Sequence, residues 1–533
     1  MPITPTYPGV YIEEIPSGVR TITGVATSIT AFIGRALRGP VNQVVTINSF
    51  ADFERTFGGL WAESSLGYAV RDFYLNGGSQ AVIVRLLHSK NEAKQTKKQG
   101  SGGSNSEPTE ENPVVSPAKA RLRIGPTAST FILAASNEGV WGNSLQISID
   151  HNVPTASELP QSYKALGLES EDLFNLVVKD MSTGVTEVFR NVTVKPSPRR
   201  IDNVLSNESS LVRVDSLPTQ RPDATTESTV ITQGSDGSQL EATDFTGVGT
   251  ESKKQGLYAL EQVDLFNLLC LPLYSENISG DSLLEAAKSY CEKRRAFLLI
   301  DPPKNVRTIV DLDLGVRSKN AAIFYPSLRQ PNPLKDNQIE EFAPCGAIAG
   351  VIARTDAQRG VWKAPAGLEA SLVGVSQLSV SLTDAENGQL NQLGINCIRT
   401  MPGAGQVLWG ARTLQGNDRL ASEWKYIPVR RLALHIQESL YRGTQWVVFE
   451  PNDESLWAQI RLNLGAFMHN LFRQGAFQGK SPREAYFVKC DSETTTQSDI
   501  NLGIVNIRVG FAPLKPAEFV ILQLQQMAGQ IQA

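Results

Sequence analysis

The segment RRAFLLIDPP, from Arg294 to Pro303, carries the strongest structural signal in this sequence. Its centre is a short apolar run without polar alternation, which is typical of a strand buried on both faces of a sheet. Three more segments share this character: AVIVRLL (81–87), DLFNLLCLP (264–272) and NAAIFYP (320–326). A helical pattern, SLLEAAKSYCEKR, lies between two of them. This alternation predicts an α/β domain with a buried sheet.

Two polar stretches interrupt the α/β pattern. Residues 90–117 contain KKQGSGGSNSEPTEENP and predict a flexible linker. A second stretch, SLPTQRPDATTESTVITQGSDGSQ, begins at Ser216 and predicts a polar exit linker. Between them lie runs rich in β-branched and aromatic residues, at 130–135, 144–149, 174–178 and 188–194. The sequence therefore predicts a β-rich domain at 118–254, inserted into a discontinuous α/β domain formed by 21–89 and 255–375.

Residues 376–533 are predicted to form a third domain, of α+β type. Its clearest element is a helix from about Ser455 to Gln474, with Asp453 as the N-cap and Gly475 as the stop. We interpret its apolar stripe as ordinary core; the stripe consists of Leu456, Ile460, Leu464, Phe467 and Leu471.

Two strands are predicted to close the chain. The first carries Val505, Ile507, Val509 and Phe511 in alternation with less apolar residues. The second runs from Phe519 to Leu524 and contains Phe519, Val520, Ile521 and Leu522. The complete prediction is a mixed α/β and α+β multidomain fold.

The composition points away from several classes of partner. A net charge of -4 over 533 residues gives no general attraction to nucleic acid, so we expect no nucleic-acid partner. The start, MPITPTYPGVYIEEIPSG, lacks the pattern of a secretory signal, and no window is apolar enough for a membrane span. The five cysteines are scattered without a C-x-x-C pair, which predicts reduced thiols in a cytosolic compartment.

Motifs for catalysis or cofactor binding are not found in the sequence. The four histidines are far apart and lack metal-ligand spacing. GAFQGKS (475–481) has one residue too few between its glycines for a phosphate loop, and PGAGQVLWG (402–410) fails the dinucleotide-binding spacing. The adjacent Glu13 and Glu14 point to opposite faces of an extended segment. We therefore expect no metal, no cofactor and no enzymatic activity.

Several blocks, in order, resemble the contractile tail sheath proteins of myophages and related injection systems. The N-terminal half contributes PGVYIEEIPSG, TSITAFIGRALRGP (27–40), WAESSLGYAVRDFYLNGGSQAVIVRL and DLFNLLCLP. The C-terminal half contributes APCGAIAGVIARTDAQRGVWKAPAG from Ala343, GQLNQLGINCIRTMPGAGQVLWGARTL from Gly388, EWKYIPVRRLALHIQESLYRGTQWVVFEPND from Glu423 and APLKPAEFVILQLQQ from Ala512. Within the insert, GVWGN (139–143) is similar to the outer protrusion of longer sheath proteins.

The resemblance implies a subunit of stacked hexameric rings that surround an inner tube. Residues 376–533 would face the tube and the insert would lie outermost. Residues 1–20 would form a linker arm, in which Gly9, Val10, Tyr11, Ile12, Glu13, Glu14 and Ile15 join a neighbour's sheet. The C-terminal strands predicted above would take part in the same linkage. The segment between Pro8 and Pro16 favours β structure but is too short to make a sheet alone, so pairing at another sheet edge satisfies its backbone.

The implied partners are further copies of the chain, a tail tube protein, baseplate and terminal cap proteins, and in some systems a paralogous sheath subunit. Arg461 and Arg473 are the candidates for facing the tube. The implied location is the bacterial cytoplasm during assembly and the virion tail or injection particle afterwards. Three alternatives remain at this point: a tube or baseplate protein, an adhesin that binds through the insert, and an oligomeric α/β enzyme.

Overall fold

The computed structural model describes residues 21–88, 116–125, 131–272, 281–304, 306 and 315–523. The strands are β1 (Thr30–Gly34), β2 (Val44–Ile47), β3 (Ala81–Arg85), β4 (Arg121–Ile124), β5 (Ile132–Ala135), β6 (Leu145–Asp150), β7 (Leu173–Asp180), β8 (Thr186–Thr193), β9 (Val212–Ser216), β10 (Ser228–Thr232), β11 (Leu268–Cys270), β12 (Phe297–Ile300), β13 (Ala321–Tyr325), β14 (Leu328–Asn332), β15 (Gln338–Phe342), β16 (Gln377–Leu378), β17 (Asn396–Met401), β18 (Gly405–Leu408), β19 (Tyr486–Lys489) and β20 (Arg508–Phe511).

The α-helices are α1 (Phe50–Phe57), α2 (Leu66–Leu75), α3 (Gln161–Ala165), α4 (Ile201–Glu208), α5 (Ala242–Thr246), α6 (Thr250–Lys253), α7 (Asp281–Lys293), α8 (Cys345–Arg359), α9 (Asp384–Gln392), α10 (Ile427–Gly443), α11 (Glu454–Arg473), α12 (Pro482–Ala485) and α13 (Gln497–Asn501). The mixed α/β fold with several sheets is confirmed.

The largest sheet has eight strands in the order β18-β17-β13-β12-β11-β1-β3-β2. Its six central strands, from β17 to β3, are parallel, and an antiparallel strand lies at each edge. The predicted boundary between residues 375 and 376 is wrong for this sheet, because β17 and β18 lie beyond it and extend the same sheet. The strands predicted from Ala81, Asp264, Arg294 and Asn320 are β3, β11, β12 and β13.

Each central strand divides its side chains between two cores. In β12, Phe297 and Leu299 enter one core, whereas Leu298 and Ile300 enter the other. Helices α2 and α8 cover the first face and α7 covers the second. Burial on both faces explains why the strands read as continuous apolar runs, and each fully buried large side chain contributes about 1.5–3 kcal/mol.

Helices α2 and α8 pack backbone to backbone. A Cβ at Gly346 would collide with the carbonyl of Ala69, and one at Gly350 would lie 2.5 Å from the carbonyl oxygen of Phe73. The small residues of CGAIAG therefore permit an approach that larger side chains would prevent. This contact packs the two helices that cover the first face of the sheet closely against each other.

Residues 116–240 contain two antiparallel sheets, β10-β4-β5-β9 and β6-β7-β8. Both sheets contribute to one apolar core, to which Leu122, Leu133, Ile147 and Leu176 belong. The unit is joined to the large sheet by Arg85, whose fully buried guanidinium donates to the carbonyls of Ala36 (2.8 Å), Gly39 (2.7 Å) and Glu138 (2.9 Å). Burial lowers the pKa of Arg85 to about 10.

Helices α10 and α11 and the β19–β20 pair form a separate core. Asp453 caps α11 as predicted, since its carboxylate accepts from the backbone N–H of Leu456 at 2.9 Å. Gly475 follows the helix with a φ of 82°, a left-handed conformation that favours glycine. The predicted stripe, from Leu456 to Leu471, is buried in this core.

A buried ion pair joins this helical unit to the sheet domain. Asp356 of α8 and Arg431 of α10 are each 4% exposed, and Arg431 donates to the carboxylate at 2.8 and 2.5 Å. Thr27 completes the junction: its hydroxyl donates to Asp356 at 2.6 Å and its carbonyl accepts from Arg431 at 2.8 Å. Three distant parts of the chain therefore meet at one pair of charges.

Removing one charge of this pair is expected to destabilise the protein strongly. The substitution Asp356→Asn leaves Arg431 buried without its counter-charge, which costs roughly 3–5 kcal/mol. The measurement is urea unfolding followed by tryptophan fluorescence. The matched control is Arg359→Ala on the same helix, whose pair with Glu369 is 51% and 67% exposed; we expect a change below about 0.5 kcal/mol. Equal effects of the two substitutions would contradict this account.

Candidate functional site

The N-terminal part of the described chain runs along α10. Ile22 is buried in the core of the helical unit, and a Cβ at Gly443 would lie 2.7 Å from the Ile22 side chain. The N–H of Val25 donates to the Ser439 hydroxyl at 3.2 Å, and the carbonyl of Thr27, three residues before β1 begins, accepts from Arg431. The chain thus enters the described structure at the C-terminal end of α10. The predicted arm, Gly9 to Ile15, lies outside the described residues.

His435 lies beneath this segment. A Cβ at Gly24 would be 3.2 Å from its Cε1 atom, and its ring centroid is 6.3 Å from that of Phe467. Burial lowers the pKa of His435 to about 4, a change that the nearby Asp356 carboxylate opposes and the Arg431 charge reinforces. The imidazole is therefore neutral at pH 7 in the folded protein.

The C-terminal segment is held to the sheet domain at Glu518. The Glu518 carboxylate accepts from Arg412 Nε at 2.6 Å and Arg412 Nη2 at 2.7 Å, from the Asn391 amide at 3.1 Å and from the Tyr426 hydroxyl at 3.2 Å. Arg412 is fully buried. Burial alone would raise the pKa of Glu518, but the bonds from Arg412 and Asn391 lower it. We call Glu518 and these three partners the Glu518 clamp.

Four apolar residues follow the Glu518 clamp in an exposed position. Phe519, Val520, Ile521 and Leu522 are 71–83% exposed and belong to no strand or helix. The prediction of a second closing strand is therefore wrong for the single chain, because these residues have no strand to pair with among those described. Such exposure of consecutive β-favouring side chains is typical of a segment that binds another surface.

The first predicted closing strand is shorter than expected. Val509 and Phe511 lie in β20, whereas Val505 and Ile507 precede it, and all four pack partly buried against the core of the helical unit. Strand β20 pairs only with β19 among the described strands. On the outward face of the pair, Phe487 is 58% exposed.

The β19–β20 pair offers two sheet edges. Two-stranded sheets are marginal alone, and their unpaired N–H and C=O groups can accept a further strand. The N–H of Ala512 donates to the carbonyl of Ala485 at 2.8 Å, which extends the pair by one residue on each strand. Hydrogen-bonded and non-hydrogen-bonded residues alternate along an antiparallel strand, and Ala512 is hydrogen-bonded to the partner strand. The backbone N–H and C=O groups of Val509 and Phe511 therefore point away from β19.

The two predicted tube-facing arginines differ in their surroundings. Arg461 already donates to the carbonyl of Cys490 and, at 2.6 Å, to Glu454. Arg473 is exposed in the last turn of α11. The two positions are twelve residues apart, about 120° around a helix. Arg473 instead shares its exposed face with Leu462 and His469.

No described helix is long and apolar enough to cross a membrane. The described residues also contain no cluster of three histidine, cysteine or acidic side chains that could hold a metal ion. The five cysteines are buried and unpaired, with the thiol pKa of Cys291 raised by burial.

Comparison with known proteins identifies the group to which the chain is related. Residues 246–414 match the phage tail sheath protein central domain, and residues 421–527 match the phage tail sheath C-terminal domain. The chain belongs to the phage tail sheath family. Residues 8–267 also match the DUF2586 N-terminal domain. The sheath family is structural and is not an enzyme family, so the enzyme alternative is set aside.

Two tail sheath proteins and one solved sheath structure illustrate the relationship. The tail sheath protein of Burkholderia phage BcepMu is 22% identical over 497 residues, 88% of this chain and 87% of its own length. That of Vibrio phage KVP40 is 29% identical over 222 residues, which cover 41% of this chain and only 31% of the phage protein. The helical sheath of the anti-feeding prophage in its contracted state shares the fold, with a TM-score of 0.57, 22% identity and coverage of 98% and 100%.

Sequence reasoning missed the residues that anchor the two ends of this sheath-family chain. Arg412 and Glu518 are 106 positions apart, and no spacing rule connects them. One signal was present in LKPAEFVILQL, where a carboxylate immediately precedes a purely apolar run. The contact between Ile22 and Gly443 could not be predicted from the sequence either, because it depends on how α10 packs.

The neutral His435 predicts a specific loss of stability in acid. Its pKa is about 6.5 when unfolded and about 4 when folded, so stability is complete above pH 6.5 and is lost as the pH falls towards 4. At pH 5 the loss is about 2 kcal/mol. We expect His435→Gln to flatten the change in urea midpoint between pH 7 and pH 5, and His469→Gln, at an exposed site, to leave it unchanged. A His435→Gln protein with the full pH dependence would refute this explanation.

Proposed function

We propose that this chain is the structural subunit of a contractile tail sheath, which polymerises in stacked hexameric rings around an inner tube and contracts from a metastable extended state. One observation carries the proposal: the exposed apolar segment Phe519–Leu522 leaves the chain beside a sheet domain, while the β19–β20 pair offers open edges to strands from elsewhere. A single chain thus carries both a segment that has no strand partner among the described residues and a sheet edge that could pair with such a segment from another chain.

Linkage between subunits would occur by addition of strands to the β19–β20 pair. The arm residues Gly9 to Ile15 and the tail residues Phe519–Leu522 both favour β structure. The outward backbone groups of β20 would hydrogen-bond to one of these segments, and the face that carries Phe487 would cover its side chains. A chain that carries both a donor segment and an acceptor edge can join copies head to tail, and such contacts generate rings or helical polymers.

Contraction would move whole subunits rather than reshape them. The packed cores on both faces of the large sheet and the buried Asp356–Arg431 pair resist internal deformation. The terminal segments would act as the linkers that stay joined while the rigid bodies rotate. A difference of a few kcal/mol per subunit between the two arrays, summed over many subunits, would drive the tube outwards without nucleotide hydrolysis.

The tube would contact the helical unit, and the insert predicted at 118–254 would lie outermost. The exposed face of α11, which carries Leu462, His469 and Arg473, is the proposed tube surface. Solvated charges suit a contact that must slip, because exposed ion pairs are individually weak. Baseplate and cap proteins, and in some systems a paralogous sheath subunit, would bind the ends or the rings of the array. Assembly would take place in the bacterial cytoplasm and yield a tail or injection particle.

The arm model is tested by deleting residues 1–18 and examining the purified proteins by negative-stain electron microscopy. We expect striated tubes with six-fold end views from the full chain, and a folded monomer that makes no tubes from the truncated one, because the donor strand is missing. Circular dichroism and thermal melting serve as controls, since Ile22, Val25 and Thr27 remain in place. Normal tubes from the truncated chain would exclude the arm as a linker.

The proposed tube surface predicts that Arg473→Glu weakens binding to the cognate tube. Reversal of one exposed charge is expected to change each contact by about 0.2–1 kcal/mol, and the change should shrink as salt is raised from 0.05 to 0.5 M. Co-sedimentation of preassembled tubes with the variant measures the effect. Lys253→Glu, an exposed charge reversal on α6, is the control and should bind as the wild type does. Equal binding by both variants would show that this face of α11 does not contact the tube.

A further inference from the structure

The Glu518 clamp is the main attachment of the last described residues to the body of the chain. The backbone before it is anchored at Ala512, whose carbonyl accepts from the N–H of Gln478 at 2.8 Å. Between Leu514 and Phe519 the segment borders an open groove of about 1100 Å³. Leu514, Lys515 and Ala517 are exposed, so packing contributes little along this stretch. The position of the segment therefore depends on one carboxylate.

The side chain that donates to that carboxylate, Arg412, is itself held in a fixed orientation. Arg412 is fully buried, and its Nη1 atom also donates to the carbonyls of Asn391 at 2.7 Å and Gly416 at 3.2 Å. Its guanidinium plane is thereby set before Glu518 binds. A bidentate bond to a preset guanidinium defines both the place and the direction of the bound carboxylate.

Helix α10 relates this attachment to the other end of the chain. Tyr426, which donates to Glu518, is the N-cap of α10, whereas Ile22 packs on Gly443 at the last residue of the helix. Seventeen helical residues separate the two contacts, a length of about 25 Å. The two terminal segments therefore leave the body from opposite ends of one rigid helix.

We propose that Glu518 is a positioning residue for assembly: the Glu518 clamp fixes the point at which the C-terminal linking segment leaves the subunit, at a set distance along α10 from the base of the N-terminal arm. The inference rests on the proposed function, because it assigns the clamp to the linkage described above. Fixing the start of the segment lowers the entropy that is lost when Phe519–Leu522 pair with a neighbour. It also restricts which neighbouring edge the segment can reach.

The test compares Glu518→Gln with Asp418→Asn in the full chain. Asp418 is the matched control because it also accepts from Arg412, at 3.1 Å, but does not belong to the C-terminal segment. We expect Glu518→Gln to raise the protein concentration needed for tube formation by about fivefold or more, and Asp418→Asn to leave it within twofold. Glu518→Asp keeps the charge and should recover part of the loss.

The mobility of a nitroxide spin label on the monomers separates positioning from general destabilisation. With Ala517→Cys as the labelling site, which is exposed whereas the five native cysteines are buried, the label should become more mobile in Glu518→Gln but not in Asp418→Asn, while the amides of β17 stay protected from hydrogen exchange in both. Equal tube formation by Glu518→Gln and the wild type would overturn the proposal, as would equal defects in Glu518→Gln and Asp418→Asn.

A third variant distinguishes failure of this inference from failure of the proposed function. Removal of residues 519–533 deletes the linking segment and leaves the Glu518 clamp intact. Tubes from this truncated chain would show that the C-terminal segment is not a linker. The proposed linkage of subunits through this segment would then be wrong. No tubes from it, together with normal tubes from Glu518→Gln, would overturn only the role of the clamp.

Discussion

The arrangement of the whole molecule depends on the buried ion pair between Asp356 and Arg431. These two side chains join α8, which is packed against the large sheet, to α10, which organises the helical unit, and Thr27 binds both of them on its way into β1. An apolar contact of the same size would tolerate sliding between the two units. A doubly hydrogen-bonded pair in a buried site has one geometry and a large cost for leaving it, so it sets the orientation of the sheet domain relative to α10.

The N-terminal and C-terminal segments are attached to the body of the chain in different ways. The N-terminal segment is held by burial of Ile22, by a backbone bond to Ser439 and by the polar contacts of Thr27, so its attachment is distributed along α10. The C-terminal segment is held mainly by a single charged group at the opposite end of the same helix. The first attachment resists both salt and local fluctuation. The second is strong only while Arg412 remains shielded from water, since screening by solvent weakens ion pairs.

The sequence was informative where local pattern and tertiary environment agree. The strands β3, β11, β12 and β13 could be predicted because burial on both faces leaves continuous apolar runs, and α11 could be predicted because its cap, stripe and stop are all local. The edge of the large sheet could not, because β17 contains Arg399 and Thr400 and reads as a surface segment, although its first half is fully buried. Phe519–Leu522 has strand propensity, but propensity does not specify which chain supplies the partner.

This last point explains why the β-favouring segment Phe519–Leu522 forms neither a strand nor a helix in the single chain. Residues that pair within one chain are constrained by its own core, as β19 and β20 are by α11. Residues that pair between chains must remain exposed until a neighbour arrives, and four adjacent apolar side chains at such exposure would favour aggregation if they could sample every direction. An anchor immediately before them limits that sampling. The carboxylate of Glu518 meets this requirement because it attaches the segment through polar contacts and leaves most of the apolar surface of Phe519–Leu522 exposed to a neighbouring subunit.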